Sequence, residues 1–562
     1  MLAQIERTNI SPGLSQESFS KALFWALAGV ALIFMLFISR DFGITWDDWI
    51  SDHYGRLVLR FLATGGAAKE CFVFFGVQYL YGALFDAMAN LLYGLWHHNL
   101  SQMIFSNPPF ELYLPYYYES RHFLNACFGW SAMLFAGLLA KELAGWRAAS
   151  LTFLFLIVTP CFLGHSMNNP KDIPFAAAYI FSIYGMTRFL KAWPRPSFAA
   201  ASVLALGIAI AVNIRASAAF ILFCFLFFFL FVSWLLGVLR QKEFRVPRNT
   251  FLKVLWVLGA GYFLGFIFWP YGLIDPIHHP LKGLEELSYF RAAVQGSMLF
   301  NGQTVWLNAA PWFYIPVWML ITIPLFVQAG LVLSAIRFGS VLKKIPGRYL
   351  LLILMVTVLP VIYAMLRRSI LYDSWRHFLF IYPTLVILSV LGWQELFAWF
   401  KTRREKILGG LLLMVFAVEP VGWMVRNHPN EYVYFNPWVG GIRGAYGRYE
   451  TDYWGNGLKQ AAQWLASDCQ KQGGTGPVRI ASDGEPPQVA YYLLRGLAGR
   501  YVLSHSKDDA DYVIKLSRYL SPEDFRQGRW PPPGTVHTVT VDGVPICAVV
   551  KVKKYGKAVP TT

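Results

Sequence analysis

About eleven apolar runs of membrane-spanning length punctuate the chain, near residues 21–39, 122–140, 149–164, 173–190, 197–212, 216–238, 251–269, 311–336, 349–366, 375–395 and 407–424. At 1.5 Å per residue, ~20 residues of helix cross the ~30 Å hydrocarbon layer. Backbone groups in lipid must bond internally, so such runs can only be helices. The fold class is therefore a polytopic α-helical membrane protein. Only 14% of the residues are charged, against roughly 25% in soluble domains. The first run is long enough to span and no small-residue cleavage pattern follows it, so it reads as an uncleaved first helix.

The formal net charge of +17 has its explanation in topology rather than in a nucleic-acid partner, which is not expected. With the N-terminus inside, marked by Arg7 and Lys21, the inside connections become 141–147, 191–195, 240–253, 337–348 and 401–406. All are basic and mostly short, as the positive-inside rule requires. Residues 40–121, 165–172, 213–215, 270–310, 367–374 and everything after Arg426 then lie outside. The apolar stretch 71–95 carries Gln78, Asp86 and Asn90. A crossing there would turn every later basic connection outward, so it is expected to lie in or dip into the outer interface. The expected division is a transmembrane domain over 1–425, with an outer loop at 40–121, and a soluble extracytoplasmic domain over 426–562. Within the tail, short apolar runs alternate with helical stretches, and Asp542-Gly543 between Val-rich runs signals a β-hairpin. A small α/β domain is the expectation. Cys469 and Cys547 could form a disulfide if the tail is exported.

Candidate chemistry gathers at the outer ends. Thr45-Trp46-Asp47-Asp48 places two adjacent carboxylates just after the first span, where a general base for a hydroxyl group could stand. Solvated loop acids are the plain alternative. A second polar loop, His165 to Asp172, offers Asp172 as another acid, equally suited to capping the next helix. His165 and Lys171 accompany it as candidate substrate-binding groups. Arg215 lies between two apolar runs, where an arginine is costly and hence a functional candidate. Arg367, Arg368, Tyr372, Arg376 and His377 sit at the outer ends of later spans. Arginine pairs with phosphate bidentately, so these are candidate head-group ligands, although snorkelling would also account for some of them. No P-loop, HExxH or strand-following GxGxxG is present.

Taken in order, these features resemble the type C glycosyltransferases, the membrane superfamily that includes protein O-mannosyltransferases and lipid A aminoarabinose transferases. Gly43-Ile44-Thr45-Trp46-Asp47-Asp48 is similar to the family's first-loop acidic motif, with Asp-Asp where Asp-Glu is common. His165 through Asp172 is similar to its second acidic loop. The segments 427–432 and 452–455 look like those of bacterial members of unassigned substrate. The resemblance implies a polyprenyl-phosphate sugar donor, an acceptor that is a lipid, glycan or protein, and direct inverting displacement at the extracytoplasmic face of a bacterial plasma membrane. An acid of the first loop would be the base and arginines would hold the leaving phosphate. No cofactor is certain, and a divalent metal is possible because some members use one. The rival class is a transporter or flippase of a lipid-linked sugar, which would favour internal repeats and has no need of a long acid-led outer loop.

Overall fold

The computed structural model describes residues 16–105, 115–240, 245–289, 296–473, 476–497, 499–504 and 506–552. Arg7, parts of the expected loops at 106–114, 241–244 and 290–295, and the end of the tail lie outside the described residues. The first part of the chain is helical. Besides His278–Tyr289 and several shorter helices and turns, its helices are α1 (Gln16–Ile38), α2 (Trp46–Ala63), α3 (Leu84–Trp96), α4 (Tyr117–Ile157), α5 (Pro160–Asn168), α6 (Asp172–Lys191), α7 (Phe198–Arg240), α8 (Arg248–Phe263), α9 (Tyr314–Thr322), α10 (Leu325–Ile336), α11 (Gly347–Arg367), α12 (Tyr382–Trp399) and α13 (Arg403–Asn427).

Among the described residues, nine helices are long and apolar enough to cross a membrane, or ten with the bent pair α9–α10 taken as one. The remaining expected run is hidden in α4, whose backbone leaves helical geometry at Ala144 and Gly145. A Cβ on Gly137 would lie 3.3 Å from the Ala149 carbonyl. Twelve residues of straight helix would separate these positions by ~18 Å, so the two arms fold back on each other. The break in α7 falls at Arg215 (φ −139°, ψ 75°). Val212 of its first arm packs at Gly265, whereas Phe220 and Phe223 of its second arm lie 6.3 Å from Tyr262. That pattern again requires a hairpin. The polytopic helical class read from the sequence is therefore what the chain adopts.

One expected straight span differs. The run 311–336 bends by 114° between α9 and α10, at Ile323-Pro324. Proline removes a donor and frees carbonyls of the preceding turn. Here Asn436 donates to the Leu320 and Ile323 carbonyls at 2.7 and 2.8 Å, and Gln328 reaches the same two oxygens at 2.8 Å each. The 71–95 region forms α3, 13 residues long, or ~20 Å, which is short of a crossing. Its approach is held at the break of α7 and just beyond α8, where Gly82 meets the Asn213 backbone too closely for any Cβ and Ala83 N–H donates to the Phe268 carbonyl.

The bundle has two chemically distinct ends. At one, Lys191 pairs with Glu142 at 2.8 Å, Lys344 with Glu395 at 2.5 Å, and Lys253 donates to the Pro196 carbonyl at 2.8 Å. These are the connections expected inside. Large apolar side chains such as Ile33, Phe231 and Val415 are exposed along the helices between the ends, as a lipid surface requires.

The soluble domain adds α14 (Gly457–Lys471), β3 (Val478–Ser482), α15 (Pro486–Leu497), β4 (Tyr501–Leu503), β5 (Tyr512–Leu516), β6 (Thr535–Val541) and β7 (Val544–Lys551), following a small β1–β2 hairpin (Ser297–Phe300, Gln303–Trp306). The sheet order is β4-β3-β5-β7-β6, with β3 parallel to β4 and β5, and β7 antiparallel to β5 and β6. The β6–β7 turn is the anticipated Asp542-Gly543, both at positive φ. The disulfide expectation fails: Cys469 and Cys547 are both buried free thiols, one on a helix and one on a strand packed as core hydrophobes.

Helices α10 and α12 meet through small residues. A Cβ on Gly392 would lie 2.0 Å from the Gly330 carbonyl, so only glycine permits the approach. Gly392→Val is expected to lower the melting temperature in detergent by several degrees, the effect of ~1–3 kcal/mol of overpacking. A differential scanning measurement in which the variant melts with the native protein would contradict this packing.

Candidate active site

The other end of the bundle carries the acids. Asp47 and Asp48 both fall in the first turn of α2, where the helix dipole favours negative charge, yet adjacent helical positions point in different directions. Asp48 closes a capping box with Thr45. Its Oδ2 accepts from the Thr45 N–H at 3.0 Å and hydroxyl at 3.1 Å and faces His122 Nε2 at 3.3 Å. Its Oδ1 is 3.9 Å from Arg121 Nε. Asp47 turns the other way, and its side chain keeps 18% exposure, against 2% for Asp48.

Asp47 meets Arg376, whose Nη1 donates to Asp47 at 3.2 Å and to Asp172 at 3.0 Å. Nε and Nη2 of the same guanidinium donate to Asp373 at 3.2 and 3.0 Å. One arginine thus gathers three carboxylates from the starts of α2 and α6 and from the segment before α12. Arg215, at the break of α7, forms an ion pair with the other oxygen of Asp172 at 3.0 Å. Arg518, from the soluble domain, forms an ion pair with the other oxygen of Asp373 at 2.8 Å and donates to the Tyr453 carbonyl. Three acids and three arginines balance formally. Burial pushes the Asp373 carboxyl up, but Arg518 and Arg376 outweigh it and hold the group below the usual carboxylate range.

Aromatic groups wall this cluster. Trp454 lies 4.7 Å from the Arg376 guanidinium and donates to Asp373 at 3.3 Å. Tyr372 lies 5.4 Å from Arg376, with His377 against its ring at 4.8 Å. Lys171 donates to Gln78 at 3.1 Å and sits 5.4 Å over Tyr81. His165 is fully buried, bonded to the Tyr453 hydroxyl at 2.9 Å and to Asn169 at 3.2 Å. Burial pushes its imidazole down to about 3 against the pull of Asp172, so it is a neutral brace and not a cation for a phosphate. Arg367 and Arg368 are exposed at the end of α11, and the cluster's ion pairs do not include them.

Sequence reasoning passed over several members. Asp373 stood unremarked beside Arg376. Arg518 sits in a soluble segment with no local signal. A second buried network centres on Arg121, which pairs with Asp86 at 2.5 Å and Asp52 at 3.3 Å; Tyr117 donates to Asp52, and Asn90 joins at 3.1 Å. It ties α2, α3 and α4 together beneath Asp48. The polar residues of the 71–95 stretch were its only trace in the sequence.

Among the described residues, no three or more His, Cys, Asp or Glu side chains are grouped to hold a metal ion. Asp47 and Asp172 converge on a guanidinium, which a divalent ion would have to displace.

No family model and no curated protein matches the chain. Solved structures do. ArnT from Cupriavidus metallidurans bound to undecaprenyl phosphate is similar over 94% of this chain and 97% of its own, at 14% identity and a TM-score of 0.45. The archaeal oligosaccharyltransferase AglB from Archaeoglobus fulgidus, in complex with an inhibitory peptide and a dolichol-phosphate, is similar over 89% of this chain and 70% of its own, at 11% identity and a TM-score of 0.45.

Glu450 is buried beside this cluster with one oxygen unpartnered. Burial pushes its carboxyl up to about 7, with Arg518 pulling the other way. A carboxyl raised above its unfolded value holds its proton in the native state, so stability is greatest in acid and falls as pH rises from 4.5 through 7. Glu450→Gln removes that dependence. It is expected to melt close to the native protein at pH 5 and above it at pH 8, and equal melting at both pH values would contradict the assignment.

Proposed function

We propose that this chain is a membrane glycosyltransferase that moves a sugar from a polyprenyl-phosphate donor to an acceptor hydroxyl on the extracytoplasmic face of a bacterial plasma membrane. The observation that carries the reading is the one partly exposed acid, Asp47, standing at the mouth of the arginine-balanced cluster. The acceptor is a lipid, glycan or protein. The N-terminus is cytoplasmic, as the basic connections at the opposite end favour.

In this reading Asp47 is the general base. It accepts the acceptor's hydroxyl proton as that oxygen attacks the anomeric carbon from the face opposite the phosphate. The anomeric carbon–oxygen bond breaks, its electron pair stays on the leaving polyprenyl phosphate, and the configuration inverts. The departing phosphate gains charge and needs cations already in place. Arg215 commits one of its nitrogens to Asp172, which leaves donors for the phosphate, and Lys171 adds a second cation. Arg376 has its Nε and both terminal nitrogens engaged by acids. Its role is to position Asp47 and Asp172 and to compensate their charge. Asp172 in turn orients Arg215. Asp48, with its Oδ2 taken by the cap and His122 and its Oδ1 turned toward Arg121, sets the start of α2.

The test is transfer from a panel of radiolabelled polyprenyl-phosphate sugars by the purified protein. Asp47→Asn keeps size and polarity but cannot take the proton, so its rate is expected to fall by roughly 10²–10⁴ with folding and donor binding intact. Asp48→Asn should act mainly on stability. Transfer by Asp47→Asn near the native rate would remove Asp47 from the role, and no transfer from any donor by the native protein would remove the reading.

A further inference from the structure

The soluble domain has a crevice that the transfer chemistry leaves unused. Strands β3 and β5 lie side by side and parallel, but their onward connections part. β3 leaves through α15 to β4 on one flank, and β5 leaves through residues 517–534 to the β6–β7 hairpin on the other. In open α/β sheets, ligands bind outside the carboxyl ends of the strands at such a point, because diverging connections leave a cleft. A cavity of about 450 Å³ lies there, lined by Ser482 and Asp483 from the end of β3, Lys515 from the end of β5, and Lys507, Tyr519 and Trp530. Its volume falls within the roughly 300–1,000 Å³ of small-molecule sites.

The lining favours one ligand class. Asp483 is committed: it pairs with Lys507 at 2.6 Å, and its other oxygen accepts the Leu516 N–H at 3.1 Å. Lys515 brings a positive charge that no acid of the crevice balances. Tyr519 is 57% exposed and Trp530 is almost buried, its indole N–H spent on the Pro545 carbonyl at 2.8 Å. An exposed aromatic ring gives an apolar platform with a polar tip, and an ammonium beside it selects for negative charge. The position adds a second constraint. Arg518 and Tyr519 share one turn, Ser517–Tyr519, and while Tyr519 lines the crevice, Arg518 reaches Asp373 in the membrane-domain cluster. The turn that lines the crevice therefore also carries a side chain into the cluster that holds Asp47.

We infer that this crevice binds an anionic saccharide, the sugar portion of the acceptor in the transfer proposed above. The acceptor role rests on that reading; the binding does not. Saturation-transfer NMR on the full-length protein in detergent, with glucuronic acid and glucose 6-phosphate as probes and glucose as the neutral control, tests the binding alone. Transfer to the two anionic sugars is expected, with little to glucose. It should drop at least several-fold in Lys515→Ala and in Tyr519→Ala. Absence of transfer, equal transfer to glucose, or equal transfer in the variants would overturn the site. With a working transfer assay, Lys515→Ala should raise the acceptor KM and leave kcat and the donor KM alone. Sugar binding without any transfer activity would keep the crevice and reject the enzyme reading.

Discussion

One end of the helical bundle is organised around one guanidinium. Arg376 donates to Asp47, Asp172 and Asp373, which come from three distant parts of the chain. Arg215 and Arg518 close the set from two more. Removing one partner of a buried ion pair strands the other at a cost of about 3–5 kcal/mol. The network can therefore exist only when all of these segments arrive together. That interdependence makes it specific, and it explains why the soluble domain is part of the site: one of the three cations is its own.

The helices are interrupted where they meet this network. α7 breaks at Arg215, and α9 and α10 part at Pro324. Broken helices at membrane depth are tolerated only where other groups take up the freed backbone. Asn213 accepts from the Phe268 N–H and donates to the Leu264 carbonyl, and Asn436 serves the carbonyls at the α9–α10 bend. These buried amides let side chains such as Arg215 leave the helix line and reach an acid. The segment after α13 supplies both a brace and a wall, with Asn436 under the bend and Trp454 over Arg376.

Much of this was legible in advance. The apolar runs, the alternation of basic connections and the Asp-Gly hairpin are local signals, each set by solvent, by charge or by turn geometry acting on neighbouring residues. Asp47, Asp172, Arg215 and Arg376 were identifiable because charge at the end of an apolar run is costly anywhere. What escaped notice were groups whose cost is hidden locally. Asp52 and Arg121 read as ordinary polar residues of a loop, and Asp86 only as a mark against a crossing, until three helices bury them together. Arg518 belongs to a segment where an arginine is unremarkable. Arg367 and Arg368 show the converse, since two adjacent arginines at a span's end remain at the surface.

By itself the sequence determined that this chain is a helical membrane protein with a small α/β domain, with basic connections at one end and a set of acids and arginines at the other. Hydrocarbon, as a solvent, leaves a chain of this composition no other arrangement. Only the tertiary structure decided which way two neighbours, Asp47 and Asp48, face. Both are acids at the start of one helix, but a helix turns ~100° per residue. One carboxylate was turned into a cap against Thr45 and His122, and the other toward Arg376, with an opening to solvent. Which way each faced depended on the packing of α2 against α3 and α4, through contacts 30 to 75 residues away.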